Sequence, residues 1–315
     1  MTAIGARIFL SVMTGVAVAV TACSAVHSVA DTGVAPTIQT SDVDRFYAEY
    51  NAAGGHPTAE QLQRDYIDPG SAGLHRFFKL RNTTAARLAD AIDKHPEVYV
   101  DAKRCLAVLP QVRPRLKSAL RKLGHLYPQA AFPPVTIVVG RTKPTGVTDA
   151  AGVMIGLESL CAVSWMNPNL EDRFVYVSAH EYAHVQQARN APALYDAEHP
   201  TVLEVSIVEG AAEFTGELIS GGATYSFLRD RNKGREKEIE TAFVRDEDKT
   251  DLSDWLYNGT LDKAGDTGYW VGYRISKAYY EHAPDKQRAL AEILGMTDAH
   301  AFLAKSGWYP GIELN

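Results

Sequence analysis

Cysteine is scarce, three in 315 residues, which excludes a small fold stapled by several disulfides. Positive charge is in deficit, 32 Lys and Arg against 38 Asp and Glu for a net charge of −6. No basic surface therefore stands ready for phosphates, and nucleic acid is not expected as a partner. Long apolar runs are missing as well. The run from Ile8 to Val20 has 13 residues, against the roughly 20 that a helical membrane span requires. No internal repeat is visible, and no low-complexity stretch beyond residues 24–40. What remains is ordinary: 46% hydrophobic and 22% charged residues describe a globular chain of one or two domains. A chain of this length buries its core without help from metal or disulfide.

The first residues read as an address. Arg7, the apolar run and the small residues after it have the layout of an export signal. The signal ends Val20-Thr21-Ala22-Cys23, which resembles the bacterial lipobox, in which the cysteine is lipidated and becomes the mature N-terminus. On that reading residues 1–22 are removed. Cys23 then anchors the chain to a membrane of the cell envelope, on the periplasmic or cell-surface side. The alternative is a plain signal-peptidase site with an incidental cysteine. Residues 23–40 form a tether, small and polar with no apolar period. Cys105 and Cys161 are left as an even pair in an oxidising compartment, either bonded or two buried thiols.

From 41 to about 130 the pattern is helical, a lobe without catalytic clusters. Ser41 starts a helix with Val43, Phe46, Tyr47 and Tyr50 on one face, and Gly54-Gly55 ends it. Thr58 and Gln61 form a capping-box pattern for a second helix running to Ile67. Leu88 and Ile92 mark a third, and Leu116, Leu120, Leu123 and Tyr127 a fourth. Two β-branched runs follow, 135–139 and 152–157, separated by a Gly/Thr/Pro-rich loop. Further helices are predicted at 170–190, 202–220, 268–282 and 286–304, with 230–254 a charge-dense, solvated excursion. The expected fold is α+β and mostly helical: a small sheet on a helical core over 131–315, preceded by the helical lobe.

The chemistry is concentrated in His180-Glu181-Tyr182-Ala183-His184. No Gly or Pro interrupts 170–191, so both histidines lie four apart on one face of a helix and can reach a single ion. Glu181 is placed beside the open position of that ion, where a carboxylate can take the proton of an activated water. With 10 His and 18 Glu in the chain, chance predicts about 0.02 copies of H-E-x-x-H. Catalytic zinc needs a third protein ligand. Gln187 and Asn190 stand where a metzincin has Gly and His, so the ligand comes from elsewhere. Thr201 and Glu204 make a capping box for a second helix, and Glu209 lies well inside it. Gly210, Ala211 and Ala212 follow, permitting close approach to another helix. Glu209 is the preferred third ligand, with Glu213 and Glu204 as alternatives; Glu213 also suits a hydrogen bond from a ligand imidazole.

HEYAH, 24 intervening residues and then EGAAEF are similar to the gluzincin arrangement, in which the glutamate of E-G-x-A completes the zinc site. In thermolysin-like members an acidic residue four positions on supports a ligand histidine, which corresponds to Glu213. More narrowly, the chain resembles a bacterial family of predicted zinc-dependent proteases related to gliding-motility lipoproteins. The segments that carry the likeness are LYPQAAFPPVTIVVG, GVMIGLE, HEYAHVQQ, EGAAEF and GYWVGYRISKAYYE, in that order. The resemblance implies a zinc metallopeptidase core with His180, His184 and Glu209 on the metal and Glu181 as the base. It also implies a peptide laid along the 152–157 strand, and a tyrosine at the developing oxyanion, for which Tyr269 and Tyr273 are the candidates. His199, His282, Trp255 and Trp270 are candidates to line the cleft, and Arg274 to bind a substrate carboxylate, unless it is a plain ion pair. The expected activity is zinc-dependent hydrolysis of a peptide or protein substrate by an exported, membrane-tethered enzyme. The alternatives are an assembly lipoprotein with structural zinc, or a hydrolase of some other amide or ester.

Overall fold

The aromatic stripe of the first helix decides where the chain begins to pack. In the computed structural model, which describes residues 37–314 apart from 101, 144 and 261–264, the helix Ser41–Ala52 buries Val43, Phe46, Tyr47 and Tyr50. Residues 1–22, read as an export signal, Cys23 and most of the expected tether lie outside the described residues. Gly54 and Gly55, at φ of 63° and 90°, turn the chain out of that helix. Thr58 and Gln61 close the capping box, and the helix they start passes through a wider π-type turn to Ile67. The helix Ala72–Leu80 is not among the predicted elements. Ser71 caps it, and Leu74, Phe77 and Phe78 are buried on its inner side. Leu109–Leu126 buries Leu116, Leu120 and Leu123, with Tyr127 at its C-terminal cap.

The sheet has four strands in the order β1-β2-β4-β3: β1 Ile38–Gln39, β2 Val135–Val138, β3 Gly146–Asp149 and β4 Gly152–Gly156. β1 and β4 run parallel to β2, and β3 runs antiparallel to β4. Three expectations change here. Ile38 and Gln39, placed in the tether, pair with Val135 and Thr136. The Gly/Thr/Pro-rich loop contains β3. The 152–157 run gives an interior strand, Gly152–Gly156, buried on both faces as its unbroken apolar sequence requires, and β1 and β3 are the edges.

The disulfide Cys105–Cys161, Cα to Cα 6.1 Å, ties the turn Ala102–Val108 to the helix Leu157–Ala162. One apolar cluster runs from Phe46 and Leu116 through Val139 to Phe174 and Leu290, so packing crosses position 130 without a break and Val34–Asn315 is one unit. A second cluster lies under the C-terminal helices. The stretch 230–254 is no solvated excursion. It carries the end of Phe227–Asn232 and the helix Glu236–Asp246, with Phe243 and Glu240 fully buried. Glu240 is compatible with burial because it accepts from Arg274, Trp308 and the backbone of Gly311. The 286–304 helix is two helices, Lys286–Leu294 and Ala299–Ser306, broken at Gly295. No helix among the described residues is long and apolar enough to cross a membrane.

Candidate metal centre

The helix Leu170–Asn190 starts at Asn169, whose side chain caps Asp172 N at 3.0 Å. It runs unbroken through the motif, bringing His180 and His184 onto one face with ring centroids 4.6 Å apart. Their Nε2 atoms are 2.9 Å apart. Glu209 Oε2 lies 3.3 Å from the first and 3.1 Å from the second. Ligands roughly 2.0–2.1 Å from a tetrahedral zinc sit about 3.3–3.4 Å from one another, so these separations are close to those of an occupied site. Among the described residues no other group of three such side chains converges in this way.

Glu209 arrives on the helix Val202–Ser220, which begins with the reciprocal Thr201–Glu204 cap. Glu204 is thereby committed to the helix end. The glycines set the distances between helices. A β-carbon on Gly210 would stand 2.0 Å from the backbone of Gly272, and one on Gly216 3.3 Å from His180 N. Gly210 thus lets the Thr267–His282 helix approach, while Gly216 sits against the motif helix.

The outer ring nitrogens determine what the inner ones can do. Gln187 Nε2 donates to Val208 O at 2.8 Å, which turns Oε1 towards His184 Nδ1 at 2.6 Å. That nitrogen therefore carries the hydrogen. His180 Nδ1 lies 2.7 Å from Glu213 Oε1, a short contact without the alignment of a good hydrogen bond. The other Glu213 oxygen accepts from Tyr225 N at 2.9 Å. Both Nε2 atoms are left as lone pairs facing a carboxylate in a buried place. Three acceptors with no donor among them call for a cation, and two imidazoles with a carboxylate are a zinc set. In the metal-free chain a proton serves instead. Burial alone would lower the His180 pKa, but hydrogen bonds and charge from Glu209 and Glu213 push it up to about 10. Burial would likewise raise Glu209, yet the two imidazoles hold it well below the usual carboxylate range.

A cleft of about 410 Å3 opens on this cluster. Glu181 faces it, its Oε2 accepting from Thr148 Oγ1 of β3 at 2.6 Å. Tyr195 donates to Thr148 O at 3.1 Å, and its ring lies 5.5 Å from that of His184. Tyr257 donates to Glu209 Oε1 at 3.2 Å from a backbone at φ 56°, a conformation that non-glycine residues adopt sparingly and mostly at functional sites. Tyr269 lines the cleft, its ring parallel to His180 with centroids 6.2 Å apart. Tyr273 does not line it. Its hydroxyl, one turn along from Tyr269, is committed to Glu217 and Arg229, so it is not placed to meet an oxyanion.

His199, His282, Trp255 and Trp270 are likewise absent from the cleft wall, and Arg274 is the buried partner of Glu240. Thr148, Gln187, Tyr195 and Tyr257 are the site residues that sequence reasoning missed. Only Gln187, one turn from His184, carried a local signal.

No curated protein and no solved structure matches the chain. Residues 153–300, a stretch that holds both histidines, Glu181 and Glu209, match the model of the family described as Predicted Zn-dependent protease (DUF2268).

Proposed function

We propose that the protein is a zinc-dependent peptidase of gluzincin type, held at the outer side of a membrane through lipidated Cys23. The observation that carries this reading is the set of three buried lone-pair donors, His180 Nε2, His184 Nε2 and Glu209 Oε2, beside a carboxylate that is not one of them. When bound, zinc acts as a Lewis acid and brings the pKa of water to about 7. Glu181, steadied by Thr148, takes the proton of the attacking water and returns it to the leaving amine. Tyr257 and Tyr269 offer hydroxyls on the cleft wall where charge develops on the carbonyl oxygen. β3, an edge of the sheet beside Glu181, offers backbone groups for an extended peptide, the part that the resemblance gave to 152–157. The likeness of its motifs to proteases related to gliding-motility lipoproteins supports the envelope location.

A structural zinc site is the weaker reading, because Glu181 points at Thr148 and leaves the triad open. The test is a peptide-library cleavage profile of purified protein, with and without chelator, beside Glu181→Gln. We expect about one zinc per chain in both proteins and chelator-sensitive cleavage in the wild type alone. Cleavage by Glu181→Gln, or none by wild type, overturns the reading.

A further inference from the structure

Three cations, Arg81, Arg141 and Lys143, line the cleft that holds the metal centre. Three carboxylates, Glu181, Glu209 and Asp266, line the same cleft, and none of them pairs with these cations. Elsewhere Arg76, Arg115, Arg229 and Arg274 each meet a carboxylate. No ion pair involves Arg81, Arg141 or Lys143 among the described residues. Arg141 is instead fixed by neutral oxygens, Thr83 Oγ1 at 3.2 Å and Arg81 O at 3.1 Å, which place Arg141 and Arg81 on one wall. Lys143 donates to Gly259 O at 2.9 Å, two residues from Tyr257. Arg81 lines the same cleft as Tyr195, Tyr257 and the three residues of the metal triad. Neutral acceptors hold Arg141 and Lys143 in position without cancelling their charge, and a guanidinium is shaped to take a carboxylate.

We infer that this wall recognises a carboxylate on the substrate, so that the preferred peptide is anionic close to the bond it presents to the metal. The carboxylate has two sources, an Asp or Glu side chain or a free chain end. The inference rests on the peptidase reading for its substrate class, and a binding measurement separates the two.

Zinc-loaded Glu181→Gln is titrated against fluorescent peptides that differ only in Asp against Asn, all amidated at the C-terminus, and against a neutral pair that differs only in free acid against amide. The anionic member of at least one pair is expected to bind about tenfold more tightly at low salt, the preference shrinking as ionic strength rises. Which pair discriminates tells side chain from chain end. Arg81→Gln with Lys143→Gln, both at exposed positions, should bring the preference to within about twofold. Arg81→Glu with Lys143→Glu should favour a Lys-containing peptide, an inversion that a merely structural role would not produce. Equal binding within both pairs, or a preference that survives the Gln substitutions because the zinc alone attracts the carboxylate, overturns the inference. If the preference stands while wild type cleaves no peptide, the peptidase reading falls by itself.

Discussion

The carboxylate of Glu181 rests against the α-carbon of Gly146: a β-carbon on residue 146 would lie 2.3 Å from Glu181 Oε1. Strand β3 and the Leu170–Asn190 helix are therefore spaced by the absence of one methyl group. Because the atom in the way is the far end of a flexible side chain, Gly146→Ala should displace Glu181 at little cost to folding. We expect hydrolysis to drop by about 100-fold, the range of a lost general base, with zinc content and melting temperature close to wild type. An unchanged rate would show that Glu181 does not need its present position.

The crossing of the Val202–Ser220 and Thr267–His282 helices is less forgiving. A β-carbon on Gly272 would stand 1.7 Å from Ser206 O, and here the obstruction is backbone. Gly272→Ala should destabilise by at least the roughly 1–3 kcal/mol of ordinary overpacking, read as a lower denaturant midpoint. Zinc affinity should fall with it, since Glu209 sits on the helix that must move. A variant with wild-type stability would mean that the two helices are not packed this closely.

Those glycines also mark how far the sequence could be read. The long helices were legible because their periodicity and caps are local: Thr58 with Gln61 and Thr201 with Glu204 need no tertiary partner. The convergence of His180, His184 and Glu209 was legible because a helix fixes the spacing of the two histidines, and Gly210 betrays a close neighbour beside Glu209. The identity of that neighbour was not, since nothing near Gly210 in sequence points to Gly272. β3 was hidden because Gly146-Val147-Thr148-Asp149 has turn-like composition and becomes a strand only by pairing with β4. Glu236–Asp246 was hidden in the same way: its charge density reads as solvated, and only Arg274 and Trp308, far along the chain, make a buried Glu240 tolerable. Tyr257 reaches Glu209 from an irregular segment, where spacing carries no information about direction.

Zinc affinity should rank the acidic residues. Glu209→Ala removes a donor atom and is expected to cost more than any supporting change. Gln187→Ala removes the acceptor at His184 Nδ1, Glu213→Ala removes the carboxylate beside His180 Nδ1, and each should weaken binding by about 10–100-fold. Competition with a chromogenic chelator measures all three. If Glu213→Ala is the most damaging, the ligand and its supporter exchange roles.

Proton release on metal binding checks the electrostatics of the triad. An unfolded histidine titrates near 6.5, and in the metal-free folded chain His180 is held up to about 10 by Glu209 and Glu213 against the opposing effect of burial. The proton's contribution to stability is thus complete below about pH 6.5 and is lost as the pH rises through about 10. At pH 7 His180 carries that proton, and zinc must displace it from Nε2. Calorimetric titrations in buffers of different ionisation heat should therefore show about one proton released per zinc. The apparent affinity should climb by up to about tenfold per pH unit between pH 7 and 9. Release near zero at pH 7 would mean that His180 is already neutral, and that Glu209 and Glu213 do not share a proton with it as their positions require.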